Sequence, residues 1–384
     1  MNGHPSRGLR VLLTNAWMDQ PGGTESVVRD VAIGLLARGH RPTVYTPHIG
    51  DPAQVVHARG VAMTDNLGMI MEPPDVIHGH HFIPTAEALM HFPETPAIQV
   101  CHAWQTWREA PAHFPQIHRY VAVDETVRDR LLQMEGVSPD KVEVLYNAVD
   151  MVRIPPRKVP LSPKPARALA FTKFKAQLPY VEEACRRRGV EFAALGAGAD
   201  RLVLNPEQEL VRHDLVFATA RMALEALCAG CAVIVCDSRG LADLVTPANF
   251  ADLRKLNFGL RSLTRPVSVA ALCEVIDRYD PVEATQVSEL ARREADLGPV
   301  LDRLEALYRQ AMAAPRPGPD AVRTATLGFL RAALPRTRAD GRWPWMQERD
   351  AMAGRIQQLE RELGAARAEV LQLQAAAAAR ASER

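Results

Sequence analysis

The sequence predicts a two-domain α/β protein in which each domain is built on a parallel doubly wound sheet. Three observations carry that expectation. Short apolar runs alternate with helical periodicity from Arg10 to Asp124, the pattern left by strands joined through crossover helices. Five prolines between Pro155 and Pro165 then break the pattern, because proline lacks the amide donor that a ladder or helix needs. From Ala168 the alternation resumes, and 384 residues suffice for two such cores with material to spare.

The elements follow in order. "RVLLT" (10–14) is a buried strand, and Val27, Val28, Val31, Ala32, Leu35 and Leu36 recur with helical spacing up to Gly39. "PTVYTP", "DVIHGHHF", "PAIQVCHAW" and "RYVAVD" are further strands, the last followed by an amphipathic helix from Glu125 to Gly136. Past the prolines come "ALAFTKF" (168–174), a helix over 178–188, "EFAALGAG", "HDLVFAT", a helix over 221–229 and "CAVIVCDS". Beyond Pro266 the pattern is helical. After "APRPGPD" and "RTRADGRWPW", Met352, Ile356, Leu359, Leu363, Ala366, Val370 and Leu373 alternate by four and three, as in a short coiled coil or a solitary helix folded on the body. The expected divisions are 8–152, a linker at 153–166, 167–312, a linker or helical segment at 313–345, and a coiled coil at 346–384.

Composition narrows the class. A hydrophobic share of 47% with 24% charged residues suits a soluble globular protein, and a net charge of +1 gives no global pull toward nucleic acid. No apolar run is long enough to span a bilayer, and the first residues lack the apolar stretch of a signal peptide. The expected location is the cytoplasm, with peripheral attachment at the inner face of the plasma membrane left open. Six cysteines lie mostly in apolar contexts, and the CxxC of Cys228 and Cys231 has no second pair to complete a zinc set.

Several stretches carry chemistry. "MDQPGGTESVVRD" (18–30) sets Gly22 and Gly23 just before a helix, where glycine permits positive backbone angles and main-chain amides can approach a phosphate. It lacks the third glycine of a dinucleotide fingerprint and the Gly-Lys-Ser/Thr of a P-loop, so alone it reads as a turn or as a ligand loop. His78, His80 and His81 invite a metal reading, but no aspartate or further histidine follows and no metal is expected. Trp104, Trp107, Arg108 and Phe114 suit a sugar face or a lipid-pyrophosphate acceptor, and equally ordinary packing.

The stretches "PGGTESVVRDVAIGLLARGHRPTVYTP", "DVIHGHHF", "PAIQVCHAW", "KVEVLYNAVD" and "MALEALCAGCAVIVCDSRGLADLV", in that order and spacing, resemble family 4 of the retaining glycosyltransferases from Gly8 to about Leu307. The resemblance implies a GT-B fold: two Rossmann-like domains facing across a cleft, with a helical or coiled-coil tail added here. It places Gly22 and Gly23 by the donor phosphates and the acceptor, His102 at the catalytic centre, and Glu225 on the donor ribose. Gly196 is assigned to the donor site with them.

Two departures stand out. The family's first glutamate of a pair is replaced by Phe217, eight residues before Glu225, in a loop that looks shortened. Its phosphate-binding arginine is absent from "AFTKFKAQ", which offers Lys173 and Lys175, placed on one face by strand alternation. Either lysine could instead be a solvated edge. Arg221, in the first helical turn, is expected to supply a guanidinium to the phosphates. The order Arg221 then Glu225 is the poorer one for a helical ion pair, which favours a ligand role for Glu225.

The function expected on this basis is retaining, metal-independent transfer of a sugar from a UDP- or GDP-linked donor to a hydroxyl of a bacterial surface glycan or lipid-linked acceptor. No separate cofactor and no nucleic acid is expected. A homo-oligomer or a partner enzyme is expected through residues 346–384. The alternative is a degenerate GT-B scaffold that recruits a partner enzyme through that tail. An NAD-dependent oxidoreductase is set aside, since both GxGxxG and its downstream acid are missing.

Overall fold

The computed structural model describes residues 8–104 and 106–333, with 354, 355 and 358 beyond them. The chain divides into two units, Met1–Ala325 and Thr326–Arg384. The first unit holds two sheets. The coiled coil expected at 346–384 lies outside the described residues apart from those three positions.

The first sheet contains β1 (Arg10–Thr14), β2 (Arg41–Tyr45), β3 (Ala62–Thr64), β4 (Val76–His80), β5 (Ala97–Cys101), β6 (Ile117–Ala122) and β7 (Val142–Val144). Their order is β3-β2-β1-β4-β5-β6-β7, and every pairing is parallel. The crossovers carry α1 (Gly23–Ala37), α2 (Asp51–His57), α3 (Phe82–His91) and α4 (Glu125–Gln133). Helices on both faces bury the central strands completely, as in β4 and β5, including the polar His78, His80 and Gln99.

The second sheet contains β8 (Arg167–Phe171), β9 (Glu191–Leu195), β10 (Leu215–Ala218), β11 (Ala232–Asp237) and β12 (Gly240–Leu244), in the order β12-β11-β10-β8-β9. Its helices are α5 (Leu178–Arg187), α6 (Glu207–Leu210), α7 (Ala220–Cys228), α8 (Phe250–Lys255), α9 (Val269–Ile276) and α10 (Pro281–Glu294). The sheet is parallel except for β12, which runs antiparallel to β11. A turn between Asp237 and Gly240 is too short for a crossover and permits only a hairpin. Apolar clusters cover both faces, one around Leu224 and Phe250, the other around Phe217 and Ile234.

The chain crosses between the sheets twice, and the crossings lie side by side: Val149 bridges Asp296, with Val149 N–H donating to Ala295 O (2.8 Å) and Leu297 N–H to Val149 O (3.2 Å). After the second crossing, α11 (Leu297–Ala313) returns to the first sheet, which corrects the expected division ending at 312. Its buried stripe of Leu301, Leu304, Leu307 and Tyr308 packs against α1, β4, β5 and β6. Arg38 of α1 holds the same helix through Asp302 (2.6 Å), Glu305 (2.9 Å) and the Gly298 carbonyl (2.8 Å). The final described helix is α12 (Pro319–Ala333). Among the described residues no helix is long and apolar enough to cross a membrane.

The return of α11 makes the first domain depend on residues nearly 300 positions away. Leu301→Ala removes a side chain that is 4% exposed and should lower stability by about 2–5 kcal/mol in urea unfolding; a change within about 0.5 kcal/mol would mean that α11 does not build this core.

Candidate functional site

A cleft of about 520 Å³ opens between the carboxyl ends of the two sets of strands. From the first sheet it takes Trp17, Gly22, Gly23 and Glu25 after β1, His81 after β4, and His102, Arg108 and Glu109 after β5. From the second it takes Lys173 after β8, Gly196 after β9, and Ala220, Arg221 and Glu225 after β10. Ligands of open α/β sheets sit at this edge, and the volume is within the usual range for small-molecule sites.

Gly22 is the N-cap of α1, extended at φ −156°, and no side chain caps it by a hydrogen bond. Neither it nor Gly23 has a positive φ, so the loop needs glycine for space rather than for angle. A side-chain carbon on Gly22 would stand 2.0 Å from Glu25 Oε2, because Glu25 folds back over the helix start. Glu25 is 5% exposed. Burial raises its carboxyl above the ordinary range, against the pull of its own amide, Lys173, His81 and Trp17. Lys173 reaches across from the other sheet: its Nζ is 3.8 Å from where a side-chain carbon on Gly23 would sit.

Lys175 lies elsewhere. β8 ends at Phe171, so strand alternation does not govern the two lysines, and Lys175 pairs with Asp200 on the surface (2.7 Å, both more than 70% exposed). The expectation that both lysines share one face is thereby corrected. Gly196 is required by its backbone: at φ +103° any side chain is strained, and a carbon there would meet the Thr172 carbonyl at 2.3 Å.

Arg221 and Glu225 also depart from expectation. Arg221 Nε donates to Glu225 Oε1 (3.0 Å), its NH1 to the Ala148 carbonyl (2.8 Å) and its NH2 to Asp30 on α1. Arg153, from the segment between the sheets, donates to Glu225 Oε1 (2.6 Å) and Glu207 Oε2 (3.0 Å). Arg221 therefore spends its donors within the protein rather than presenting a free fork to phosphates, and Glu225 is an interdomain ion-pair partner, 3% exposed. The rule that disfavours Arg before Glu concerns exposed helix faces; here both groups are buried and joined by further charges. Asp30 is opposed by burial but held below the ordinary carboxylate range by Arg221, Arg29 and Arg153. Phe217 lies within β10, 1% exposed in the apolar cluster, because the following turn is so short that α7 begins at Ala220, itself at φ +53°.

His102 lines the cleft and is half-buried, and burial lowers its imidazole to about 4. Its ring Nε2 lies 2.7 Å from His80 Nδ1, and its backbone N–H donates to Glu109 Oε2 (2.9 Å). Glu109 Oε1 pairs with His81 Nε2 (3.3 Å), while His81 Nδ1 accepts from Ala16 N–H (3.1 Å). Burial would raise Glu109, but His81 and His102 hold it below the ordinary range. The Trp17 ring stacks on His81, and the Arg108 guanidinium lies 4.8 Å over Trp17. Trp104 and Trp107 are exposed, whereas Phe114 belongs to the core. The six cysteines are all free and buried.

Sequence reasoning missed Glu25, Asp30, Glu109 and Arg153. Glu25 had a signal, since a glutamate three residues after an N-cap is the capping-box spacing. Asp30 had one too, as a charge beside the apolar positions Val28, Val31 and Ala32 of α1. Arg153 and Glu109 lie in irregular segments whose partners only the fold supplies.

Residues 21–153 match the model of Glycosyltransferase Family 4. No curated protein matches the chain. A glycosyltransferase from Rickettsia africae ESF-5 is similar in structure at TM-score 0.57 and 13% identity, over 80% of this chain and 100% of that one. HepE of Anabaena, solved in complex with UDP and glucose, gives TM-score 0.51 at 15% identity over 78% and 99% of the two chains. A Listeria monocytogenes protein assigned as a UDP-N-acetylglucosamine 2-epimerase gives 0.50 at 12% identity over 81% and 98%. The fold is GT-B, and it is shared by more than one reaction, so activity has to be argued from the site.

Two outcomes are expected. Glu225→Ala removes one of the carboxylates that balance the buried Arg153 and Arg221 guanidiniums and should cost about 3–5 kcal/mol in denaturant unfolding, whereas an exposed ligand contact would leave stability unchanged. His78 and His80 are at most 1% exposed; burial lowers His78 from 6.5 to about 3 and His80 well below 6.5. The unfolded chain takes up these protons first, so stability should be full above pH 6.5 and fall as pH drops toward 3, by up to about 1.4 kcal/mol per unit for each imidazole. Urea midpoints flat between pH 7 and 4.5 would contradict this.

Proposed function

We propose that the chain transfers a sugar from a nucleotide diphosphate donor to an acceptor hydroxyl, with the diphosphate held where the head of α1 meets Lys173. One observation carries this reading: the start of α1, which no N-cap side chain covers, lies beside an ammonium from the opposite sheet at the cleft. Amides at a helix N-terminus and a nearby cation are what a departing diphosphate needs, because both bear charge that develops in the transition state. The match to Glycosyltransferase Family 4 covers the start of α1 and strands β2 to β7 of the first sheet and supports the same chemistry.

The finer features of the proposal come from the resemblance and from the shape of the wall. The donor is UDP- or GDP-linked, the anomeric configuration is retained, and no metal is used, with the leaving phosphate itself taking the acceptor proton. Trp17 with Arg108 above it forms an aromatic and cationic wall suited to a glycan or lipid-linked acceptor. The acceptor is a growing bacterial surface glycan, met at the cytoplasmic face of the membrane, and the segment 346–384 joins copies or a partner enzyme.

A scaffold without activity is the second reading. It is favoured by Phe217 in the core and by Glu225 sealed between two arginines, which leave the donor sugar and ribose without carboxylates.

Nucleotide binding separates the two. UDP or GDP at a hundred times its dissociation constant should stabilise the protein by about 2.7 kcal/mol, and Lys173→Ala should weaken binding by about ten- to a hundredfold with little change in stability. No thermal shift with either nucleotide would leave the scaffold. Nucleoside diphosphate released from a panel of nucleotide sugars would then identify the donor.

A further inference from the structure

Tyr308, His78, His80 and His102 line up between α11 and the cleft. The Tyr308 hydroxyl lies 2.5 Å from His78 Nδ1, and His80 Nδ1 lies 2.7 Å from His102 Nε2. The rings of His78 and His80 stack with centroids 4.5 Å apart, and those of His80 and His102 with centroids 5.0 Å apart. Nε2 of His78 and Nε2 of His80 are buried with no hydrogen-bond partner among the described residues. Both rings line a cavity of about 40 Å³ whose other walls are mainly apolar, including Val27, Val31, Val100, Val121 and Leu304. That volume has room for one or two water molecules.

Proton positions follow from donor arithmetic. Tyr308 is fully buried and, because burial disfavours the phenolate, keeps its proton. Its partner is His78 Nδ1, so the hydroxyl donates there and His78 carries its own proton on Nε2. A water in the cavity accepts from His78 Nε2–H and donates to His80 Nε2, which places the His80 proton on Nδ1. His80 Nδ1–H then donates to His102 Nε2, and the His102 proton resides on Nδ1. With Tyr308 donating to His78, reversing the His80–His102 bond would put the His80 proton on Nε2 and aim two N–H groups into a mainly apolar cavity, and orphaned buried donors are the costlier defect.

We propose that Tyr308 fixes the direction of this hydrogen-bond chain, so that His102 meets the cleft as a neutral donor through Nδ1–H and binds an oxygen of the sugar diphosphate. Tyr308, His78 and His80 are positioning residues acting through His102. His102 is then a hydrogen-bond donor to the ligand and not a proton acceptor. The ligand contact rests on the function proposed above, whereas the tautomers do not.

Long-range proton–nitrogen correlation spectra of the full chain labelled with ¹⁵N-histidine, at neutral pH, test the chain directly. Pyrrole-type Nδ1 is expected for His80 and His102, and pyrrole-type Nε2 for His78. A His102 protonated on Nε2, or on both nitrogens, would overturn the proposal. In Tyr308→Phe the histidine tautomers should become mixed, and UDP or GDP should bind about two- to tenfold more weakly. Unchanged tautomers in a folded Tyr308→Phe would remove Tyr308 from the chain. If that variant does not fold, the wild-type position of the His78 proton decides the role of Tyr308. Should no nucleotide bind the wild type, the proposed function fails while the spectra still decide the tautomers.

Discussion

The two sheets are held face to face by a buried set of charges: Asp30 from the first domain, Arg221 and Glu225 from the second, and Arg153 from the segment between them. Two carboxylates and two guanidiniums at short range satisfy one another where water is excluded, so removing any one leaves an unpaired charge and the set stands or falls together. Its position defines the cleft. Everything that faces the cleft from either side, including the spacing between Gly23 and Lys173, depends on those charges meeting.

That constraint also divides the chemistry. Arg153 and Arg221, at the domain junction, are consumed in holding the lobes, so the proposed anion site falls to Lys173 and the head of α1. On the far side of the junction the same economy appears in neutral form. His78, His80 and Tyr308 are buried polar groups, brought together because α11 crosses back to the first sheet, and they stay uncharged because burial penalises the imidazolium.

Much of the fold was legible in the sequence. The strands at 97–101 and 232–237 are fully buried and that at 10–14 is buried from Val11 on, and the helix of Val28, Val31 and Leu35 keeps its apolar face over several turns. Short or edge elements were not legible: β3 and β7 have three residues each and lack a fully buried position, and β12 is made antiparallel by a turn rather than by its own pattern. Within the site, positions set by the local chain could be read, as with the glycines before α1 and His102 after β5. Glu225 was misread because, besides the neighbouring Arg221, its partner is Arg153, 72 residues distant in sequence, and nothing local signals that second guanidinium. Lys175 was misread because the strand was expected to run to 174 whereas β8 ends at Phe171, so alternation does not reach either lysine.

Electron density from crystals soaked with UDP and with GDP addresses the central claim most directly. The account predicts a diphosphate between the amides of Gly23 and Thr24 and the Lys173 ammonium, with the Asp30–Arg221–Glu225 contacts intact. A diphosphate bound away from α1, with Lys173 turned to solvent, would contradict it.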